Sequence, residues 1–267
     1  MKQAHFYHAN GFPVQVYGPL ADILSKKFDL SMFESSALKQ DNERPPKNRN
    51  WQLYADELIQ NIEANYSQPI VGIGHSMGAT CTALAALKRP DLFSELILVE
   101  PAMVSPFLAT VVRLLPKKVM LRINPAKGTL KKKDSFISRR EFFDHIRKFS
   151  GYRNFNPKVL ALMAEYGVRE CRDGSFQLSF SKQWEAHNYT QPPTLINKLK
   201  GLQTPCSVIR GTPNQFFTDS YWQKIRKHRG EGTILLQDLR YGHLMPMEAP
   251  EACADLILAS YQELVDR

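Results

Sequence analysis

A serine flanked by two glycines is the residue of this chain best suited to chemistry. The motif Gly74-His-Ser-Met-Gly78 follows a short apolar run, residues 70–73, and precedes a helix-forming run, residues 79–88. Between a strand and a helix, Gly-X-Ser-X-Gly forms a strained turn that lifts the serine hydroxyl above the edge of a sheet. The glycines are needed because a Cβ atom would clash in such a turn. The pattern therefore predicts that Ser76 is a nucleophile.

A histidine near the C-terminus is placed to serve as the general base. His243 lies in the segment Tyr241-Gly-His-Leu-Met-Pro246, which follows the last predicted strand. A histidine in a loop at the carboxyl edge of a sheet can reach a serine that projects from the same edge. The other histidines lack this setting, and His75, inside the serine motif, is expected to support the turn.

Two backbone N–H groups are candidates for an oxyanion hole. The Met77 N–H is expected at the start of the helix after Ser76, where the end of a helix favours negative charge. The turn Asn10-Gly-Phe-Pro13 follows the first predicted strand, and its glycine and proline can aim the Phe12 N–H at the same point. Two such donors would stabilise the oxyanion of an acyl-transfer intermediate.

The elements that must position these residues alternate between strand and helix patterns. Strands are predicted over residues 3–9, 28–33, 70–73, 96–100, 206–210 and 233–236, helices over 17–27, 51–66, 79–88, 218–229 and 250–265, and a loop over 34–50. This alternation predicts the α/β class with a doubly wound, mostly parallel sheet. It breaks after Glu100, so we expect a helical cap, residues 102–200, inserted into a core formed by residues 1–101 and 201–267.

The predicted cap differs from the predicted core in charge. Residues 102–200 hold 19 Lys and Arg against 7 Asp and Glu, which gives a net charge of +12. Because the whole chain carries a formal net charge of +9, the remaining residues carry −3. Residues 103–123 are also rich in apolar side chains, which we expect to roof the pocket and in part to line an acyl site. The neighbouring cations would then face solvent, an anionic group of the substrate or a membrane surface. No nucleic-acid-binding motif accompanies the charge, so no nucleic acid partner is expected.

Taken together, the motifs resemble those of the α/β-hydrolase superfamily of esterases, lipases and C–C hydrolases. The resemblance rests on Asn10-Gly-Phe-Pro13, Gly74-His-Ser-Met-Gly78, Leu96-Ile-Leu-Val-Glu-Pro101, Arg210-Gly-Thr-Pro-Asn-Gln-Phe-Phe-Thr218 and Gly242-His243. These segments span nearly the whole chain, and they imply the α/β-hydrolase fold with a cap. In the superfamily the first motif more often begins with His-Gly, so Asn10 changes the local hydrogen bonding.

The resemblance also implies a third residue, an acid that orients His243. The acid usually follows the strand predicted here over residues 206–210, but this chain has Asn214 at the expected place. Some members carry it after the strand that follows the nucleophile helix, and the residue there is Glu100. A buried carboxylate at this strand end needs a partner, which His243 would provide. Glu100 is therefore the first candidate, Asp219 the second, and a histidine oriented only by Asn214 the third.

These features predict a serine hydrolase that cleaves a carboxylic ester or a related acyl substrate through a Ser-His-acid triad and an acyl-enzyme. Such an enzyme, carboxylesterase-like, needs no cofactor and no metal. C–C hydrolysis and cofactor-free peroxidation would use the same residues, whereas dehalogenases and epoxide hydrolases of this fold need aspartate in place of Ser76. The alternative is a non-catalytic module that binds small molecules. It stays open because Asn214 stands where the superfamily usually has its acid.

Cysteine usage and the N-terminus bear on location. The four cysteines are far apart in the sequence, as expected of reduced thiols, and residues 1–8 lack the apolar run of a signal peptide. The sequence therefore predicts a cytoplasmic protein whose partner is a small-molecule substrate.

Overall fold

The computed structural model describes nearly the whole chain, namely residues 1–36, 44–48, 50–228, 230 and 232–267. Part of the predicted loop over 34–50 lies outside the described residues, as does Arg229 at the end of the predicted helix 218–229.

The N-terminal part alternates strands with helices, as predicted. Its elements are β1 (Lys2–Tyr7), α1 (Gly18–Leu24), β2 (Phe28–Phe33), α2 (Gln52–Asn65), β3 (Ile70–His75), α3 (Met77–Lys88) and β4 (Phe93–Val99), with 3-10 turns at Val14–Tyr17 and Pro90–Leu92. The sequence placed the end of β4 one residue late. Glu100 adopts a positive φ of 49°, which turns the chain out of the strand directly after Val99.

The segment between β4 and the next core strand contains helices and a small sheet. Its elements are α4 (Pro106–Leu114), α5 (Lys117–Met120), α6 (Ala126–Leu130), β5 (Ser135–Phe136), α7 (Arg139–Ile146), α8 (Pro157–Tyr166), β6 (Val168–Glu170), β7 (Phe176–Leu178) and α9 (Lys182–Asn188), with 3-10 turns at Ser150–Tyr152 and Leu199–Gly201. The three strands pair antiparallel in the order β5-β7-β6. The sequence predicted only helices here, because strands of two or three residues are too short to show alternation.

The C-terminal part returns to the alternating pattern. Its elements are β8 (Cys206–Arg210), α10 (Asp219–His228), β9 (Thr233–Gln237), α11 (Met245–Glu248) and α12 (Pro250–Val265). The six core strands form one parallel sheet in the order β2-β1-β3-β4-β8-β9. The predicted doubly wound parallel sheet is therefore confirmed.

Helices cover both faces of this sheet. On one face α2 and α3 contribute Leu58 and Leu84 to an apolar cluster, and on the other α1 and α12 contribute Leu20 and Ile257. Every residue of β3 is buried, as expected of a central strand covered on both sides. Since β3, β4 and β8 are neighbours and parallel, the residues that follow them meet at one edge of the sheet.

No helix among the described residues combines the length and the apolar character needed to cross a lipid bilayer.

Candidate active site

Ser76 occupies the strained turn between β3 and α3. Its φ is 54°, a left-handed conformation that is unfavourable for a residue with a side chain. The turn is held in place because the Ser76 N–H donates to the Val99 carbonyl at 3.0 Å and the Ser76 carbonyl accepts from the Ala102 N–H at 3.2 Å. The serine residue is 7% exposed, so it lies at the surface of the core without being freely solvated.

The two glycines of the motif are required by close backbone contacts. A Cβ atom on Gly74 would lie 2.6 Å from the backbone nitrogen of Ala79, and one on Gly78 would lie 2.2 Å from the carbonyl oxygen of Tyr7. Both distances are far below van der Waals contact with rigid backbone. The second contact also shows that the first turn of α3 packs on the end of β1, which brings Met77 close to the turn that follows β1.

His243 connects Ser76 to Glu100 through both ring nitrogens. Its Nε2 lies 2.9 Å from Ser76 Oγ, and its Nδ1 lies 2.9 Å from Glu100 Oε2. With the Nδ1 proton donated to the carboxylate, Nε2 accepts from the serine hydroxyl. This is the tautomer that a general base for Ser76 requires.

The carboxylate of Glu100 is completely buried but fully hydrogen-bonded. Besides His243, its partners are the backbone N–H of Gly211, 2.5 Å from Oε1, and the side-chain amide of Asn214, 2.8 Å from Oε2. Three donors compensate for the loss of water around a buried acid. The positive φ of Glu100, which ends β4, thus places its side chain among donors from the loop after β8.

Neither of the other two candidates for the acid is hydrogen-bonded to His243. Asp219 pairs with Arg210, with Oδ1 2.7 Å from Nη1, and its side chain is two-thirds exposed. Asn214 accepts at Oδ1 from the backbone N–H groups of Phe216 and Phe217, so its amide nitrogen points at Glu100. The structure therefore places Glu100, and neither Asp219 nor Asn214, against the imidazole of His243.

The turn that follows β1 is tied to the inserted segment. Gly11 has a φ of +81°, and the side chain of Asn10 bridges to α9. Its Nδ2 donates to the Glu185 carbonyl at 3.1 Å and its Oδ1 accepts from Asn188 Nδ2 at 2.8 Å. Within the described ranges, no group accepts a hydrogen bond from the N–H of Phe12 or of Met77.

A buried tyrosine and a buried histidine support the His243 loop. The Ala9 N–H donates to the Tyr17 hydroxyl at 2.9 Å, this hydroxyl lies 2.8 Å from His75 Nδ1, and His75 Nε2 lies 2.8 Å from the carbonyl oxygen of His243. Burial, reinforced by the nearby His243, lowers the pKa of His75 to about 3, so this imidazole is neutral near pH 7. Sequence analysis expected His75 to support the turn but contained no signal for Tyr17.

Aromatic side chains pack beside His243. The Phe216 ring lies 4.8 Å from the His243 ring, centroid to centroid, and Tyr189 stacks on Phe216 at 6.1 Å. The side chain of His243 is 13% exposed. A substrate would therefore approach the Ser76–His243 pair along aromatic surfaces.

A cavity of about 500 Å³ lies beside the turn that follows β1. Gly11 and Pro13 form one side, and most of the remaining wall is apolar: Phe136, Phe142, Ile146, Phe149, Tyr152, Met163, Leu178 and Phe180. At the end near Gly11, Glu185 is buried and binds Lys132 Nζ with both carboxylate oxygens, at 2.6 and 2.8 Å. The sequence predicted that residues 103–123 would in part line an acyl site, whereas the residues of the insertion that line this cavity lie between 128 and 185.

Comparisons with known proteins identify the family and the fold of this chain. A family model described as the alpha/beta hydrolase family matches residues 28–256. The abhydrolase domain-containing protein ACTT2 of Alternaria alternata is 25% identical over 227 residues, which cover 71% of this chain and 82% of that protein. A monoglyceride lipase of Rattus norvegicus is 29% identical over 126 residues, covering 44% of this chain and 41% of the lipase. The crystal structure of E-2-(acetamidomethylene)succinate hydrolase superposes with a TM-score of 0.76 at 17% identity, covering 100% of this chain and 92% of that one.

Proposed function

We propose, on the premise that this chain belongs to the alpha/beta hydrolase family, that it is a serine hydrolase acting on a carboxylic ester or a related acyl substrate. Family membership and the similarity to a lipase support hydrolase activity in general. The observation that carries the finer proposal is the continuous hydrogen-bond chain from Ser76 Oγ through His243 to Glu100.

In the proposed reaction, Ser76 Oγ attacks the acyl carbon while His243 Nε2 takes its proton. Glu100 stabilises the imidazolium that forms, since its Oε2 accepts from the Nδ1 side of the same ring. The tetrahedral intermediate places negative charge on the former carbonyl oxygen, and the N–H groups of Phe12 and Met77 would bind it.

Collapse of that intermediate expels the leaving group, which receives the proton from His243 Nε2, and leaves an ester between the acyl group and Ser76. A water molecule, deprotonated by the same nitrogen, then attacks this ester; the bond between the acyl carbon and Ser76 Oγ breaks, His243 returns the proton to Oγ, and the acyl group leaves as a carboxylic acid. Side chains and backbone N–H groups of this chain supply every group that the two half-reactions need.

An acyl group with an apolar body suits the aromatic ring beside His243 and the cavity beside the turn that holds Phe12. Aromatic rings flank His243, and the cavity beside Gly11 is walled mainly by apolar side chains. The rat relative is named a monoglyceride lipase, which supports an ester substrate for this chain. A carboxylesterase is therefore the reaction class that we propose.

The test is covalent labelling by a fluorophosphonate, which reacts with activated serines. We expect one adduct, assigned to Ser76 by mass spectrometry, and no adduct on Ser76→Ala. The control is Ser94→Ala, a half-buried serine at the start of β4 away from the site, which should label like the wild type. Absence of labelling would identify a non-catalytic binding module, and labelling without turnover of p-nitrophenyl esters would shift the proposal to C–C hydrolysis.

A further inference from the structure

The inserted segment exposes several large apolar side chains that are close in sequence, on its first two helices and just after them. Phe107 and Leu114 are 79% and 77% exposed, and Leu108, Val119 and Ile123 are exposed to a lesser degree. A single exposed apolar residue on a protein surface is ordinary, but five within seventeen positions form a patch. Each of the two helices is anchored in the protein by one buried side chain, Val112 in α4 and Met120 in α5.

Three apolar residues of α4 form a stripe along the helix. Phe107, Val111 and Leu114 are spaced by four and three residues, so they share one face of α4, while Val112 points into the protein. An amphipathic helix in a globular protein normally turns such a stripe toward the core. In α4 an apolar stripe is turned toward solvent.

Along the sequence, only positive charge accompanies the stripe. Residues 102–133 contain eight Lys and Arg and no Asp or Glu. Lys132 and Lys133 pair with Glu185 and Glu141. Across the part of the chain that the structure describes, five of the other basic residues of this stretch form no ion pair: Arg113, Lys118, Arg122, Lys127 and Lys131.

We propose that this basic apolar face, formed by Phe107, Leu108, Arg113, Leu114, Lys118, Val119, Arg122 and Ile123, docks on an anionic lipid surface. Apolar side chains of an interfacial helix enter the boundary between headgroups and acyl chains, and cations beside them bind lipid phosphates and carboxylates. A second copy of this chain fits less well, because two such faces would bring like charges together. Interfaces between proteins are also depleted in lysine at their centre.

The face adjoins the candidate active site. The Met103 N–H donates to the Phe216 carbonyl at 3.3 Å, and the Ser105 N–H donates to the Tyr221 hydroxyl at 3.1 Å. Phe216 is the residue whose ring packs on His243. Docking would thus hold the entrance to the Ser76–His243 pair near the lipid. This step rests on the proposed function, and it assigns the substrate to acyl esters carried in a lipid phase.

Vesicle flotation of the full chain tests the docking itself. The Ser76→Ala protein is used, so that binding is measured without turnover, with vesicles of phosphatidylcholine alone or with a minor fraction of phosphatidylserine. We expect flotation only with phosphatidylserine present. The triple change Arg113→Gln, Lys118→Gln and Arg122→Gln should weaken the partition about a hundredfold, since each cation near such a surface contributes about fivefold.

A charge-matched control separates the face from the overall charge of the protein. Lys2→Gln, Lys26→Gln and Lys27→Gln remove three exposed cations at the amino ends of β1 and β2, the edge of the sheet opposite Ser76, and should change the partition by no more than about threefold. An equal loss in the control would overturn the proposal. So would binding of the wild-type face to both kinds of vesicle alike, or to neither.

The apolar part of the face has its own pair of variants. Phe107→Ser with Leu114→Ser should reduce the partition at least tenfold, whereas Leu239→Ser with Val265→Ser, which are also about half exposed or more, should leave it unchanged. Unchanged thermal unfolding of the two charge variants and of the two apolar variants verifies that all four fold. A concentration-dependent dimer that disappears in the Phe107 and Leu114 variant would overturn the proposal and assign the face to a second copy.

Activity distinguishes failure of docking from failure of the proposed function. On a soluble p-nitrophenyl ester the face variants should match the wild type, and on an ester embedded in anionic vesicles they should lose at least tenfold. Equal rates on the embedded ester would overturn the link between docking and substrate. Vesicle binding by a wild-type protein that no fluorophosphonate labels would contradict the proposed function and leave the docking intact.

Discussion

The side-chain amide nitrogen of Asn214 lies 2.8 Å from Glu100 Oε2 and donates a hydrogen bond to it. From the sequence, these two residues are competing candidates for one role. In the structure they cooperate, since Asn214 holds the carboxylate that faces His243. The amide is itself locked, because its oxygen accepts from the N–H groups of Phe216 and Phe217. Asparagine thus suits a position directly beside a buried acid, where a second carboxylate would be repelled.

Replacing Glu100 by glutamine should lower kcat about 10⁴-fold with little change in KM. Three donors surround the carboxylate, and glutamine keeps only one oxygen to accept them. If the amide nitrogen takes the place of Oε1, it faces the N–H of Gly211, so that two donors meet. If it takes the place of Oε2, it faces the Asn214 amide and drives His243 to the wrong tautomer, as in a related triad whose acid was replaced by its amide. Steady-state kinetics on a p-nitrophenyl ester measure the loss. Asp219→Asn is the matched control and should stay within about tenfold of wild type; similar losses in both variants would refute the assignment of the acid.

Replacing Asn214 by aspartate should destabilise the protein in a pH-dependent way. The new carboxylate would lie against the buried Glu100, and the repulsion would raise a carboxyl pKa in the folded state. A carboxyl with a raised folded pKa costs its full amount of stability above that pKa, and the cost shrinks as the pH falls toward the unfolded pKa of about 4. The difference in unfolding temperature from wild type should therefore be largest near pH 8 and shrink toward pH 5. Asn214→Ala, which removes one donor to the carboxylate but adds no charge, should show a smaller dependence on pH than Asn214→Asp.

Replacing Tyr17 by phenylalanine should reduce kcat about tenfold while KM changes little. Without the hydroxyl, His75 Nδ1 loses its donor and can take the proton itself, which leaves an unprotonated Nε2 against the His243 carbonyl. The Ala9 N–H also loses its acceptor, so the free energy of unfolding should fall by about 1–3 kcal/mol. Tyr261→Phe, on α12, is the control expected to preserve kcat. A Tyr17→Phe enzyme that is less stable but fully active would show that the chain of hydrogen bonds is merely structural.

Three buried histidines should make the protein sensitive to mild acid. Burial lowers the pKa of His5, His8 and His75 to about 3, 4 and 3. In the unfolded chain a histidine has its ordinary pKa of about 6.5. Between those values the unfolded state binds more protons than the folded state, so stability is lost as the pH falls below about 6.5, by up to about 4 kcal/mol per pH unit for three histidines.

Urea unfolding at a series of pH values measures this dependence. His8→Gln, which cannot titrate, should reduce the slope of the unfolding free energy against pH by about one third of the histidine contribution. A free energy of unfolding that is flat between pH 7 and 5 would contradict the prediction.

Local sequence was sufficient for the features that depend on adjacent residues. The turn around Ser76 needs Gly74 and Gly78 at fixed offsets, with a strand before and a helix after, and all of this lies within twenty positions. The six core strands were likewise recognisable, the central ones because strands covered on both faces are continuous apolar runs and the first by its alternation. His243 could be singled out by its position after the last of them.

Tertiary structure alone decided which groups meet across long separations. His243 reaches Glu100 over 143 residues, and Asn214 reaches it over 114, because β4 and β8 are neighbours in the sheet. The link from Tyr17 to His75 spans 58 residues and has no periodic signature. The outward orientation of Phe107 and Leu114 on α4 was equally hidden, since an amphipathic pattern states that a helix has an apolar face but not whether that face is covered. Contacts of these kinds depend on packing between distant segments, which sequence spacing does not encode.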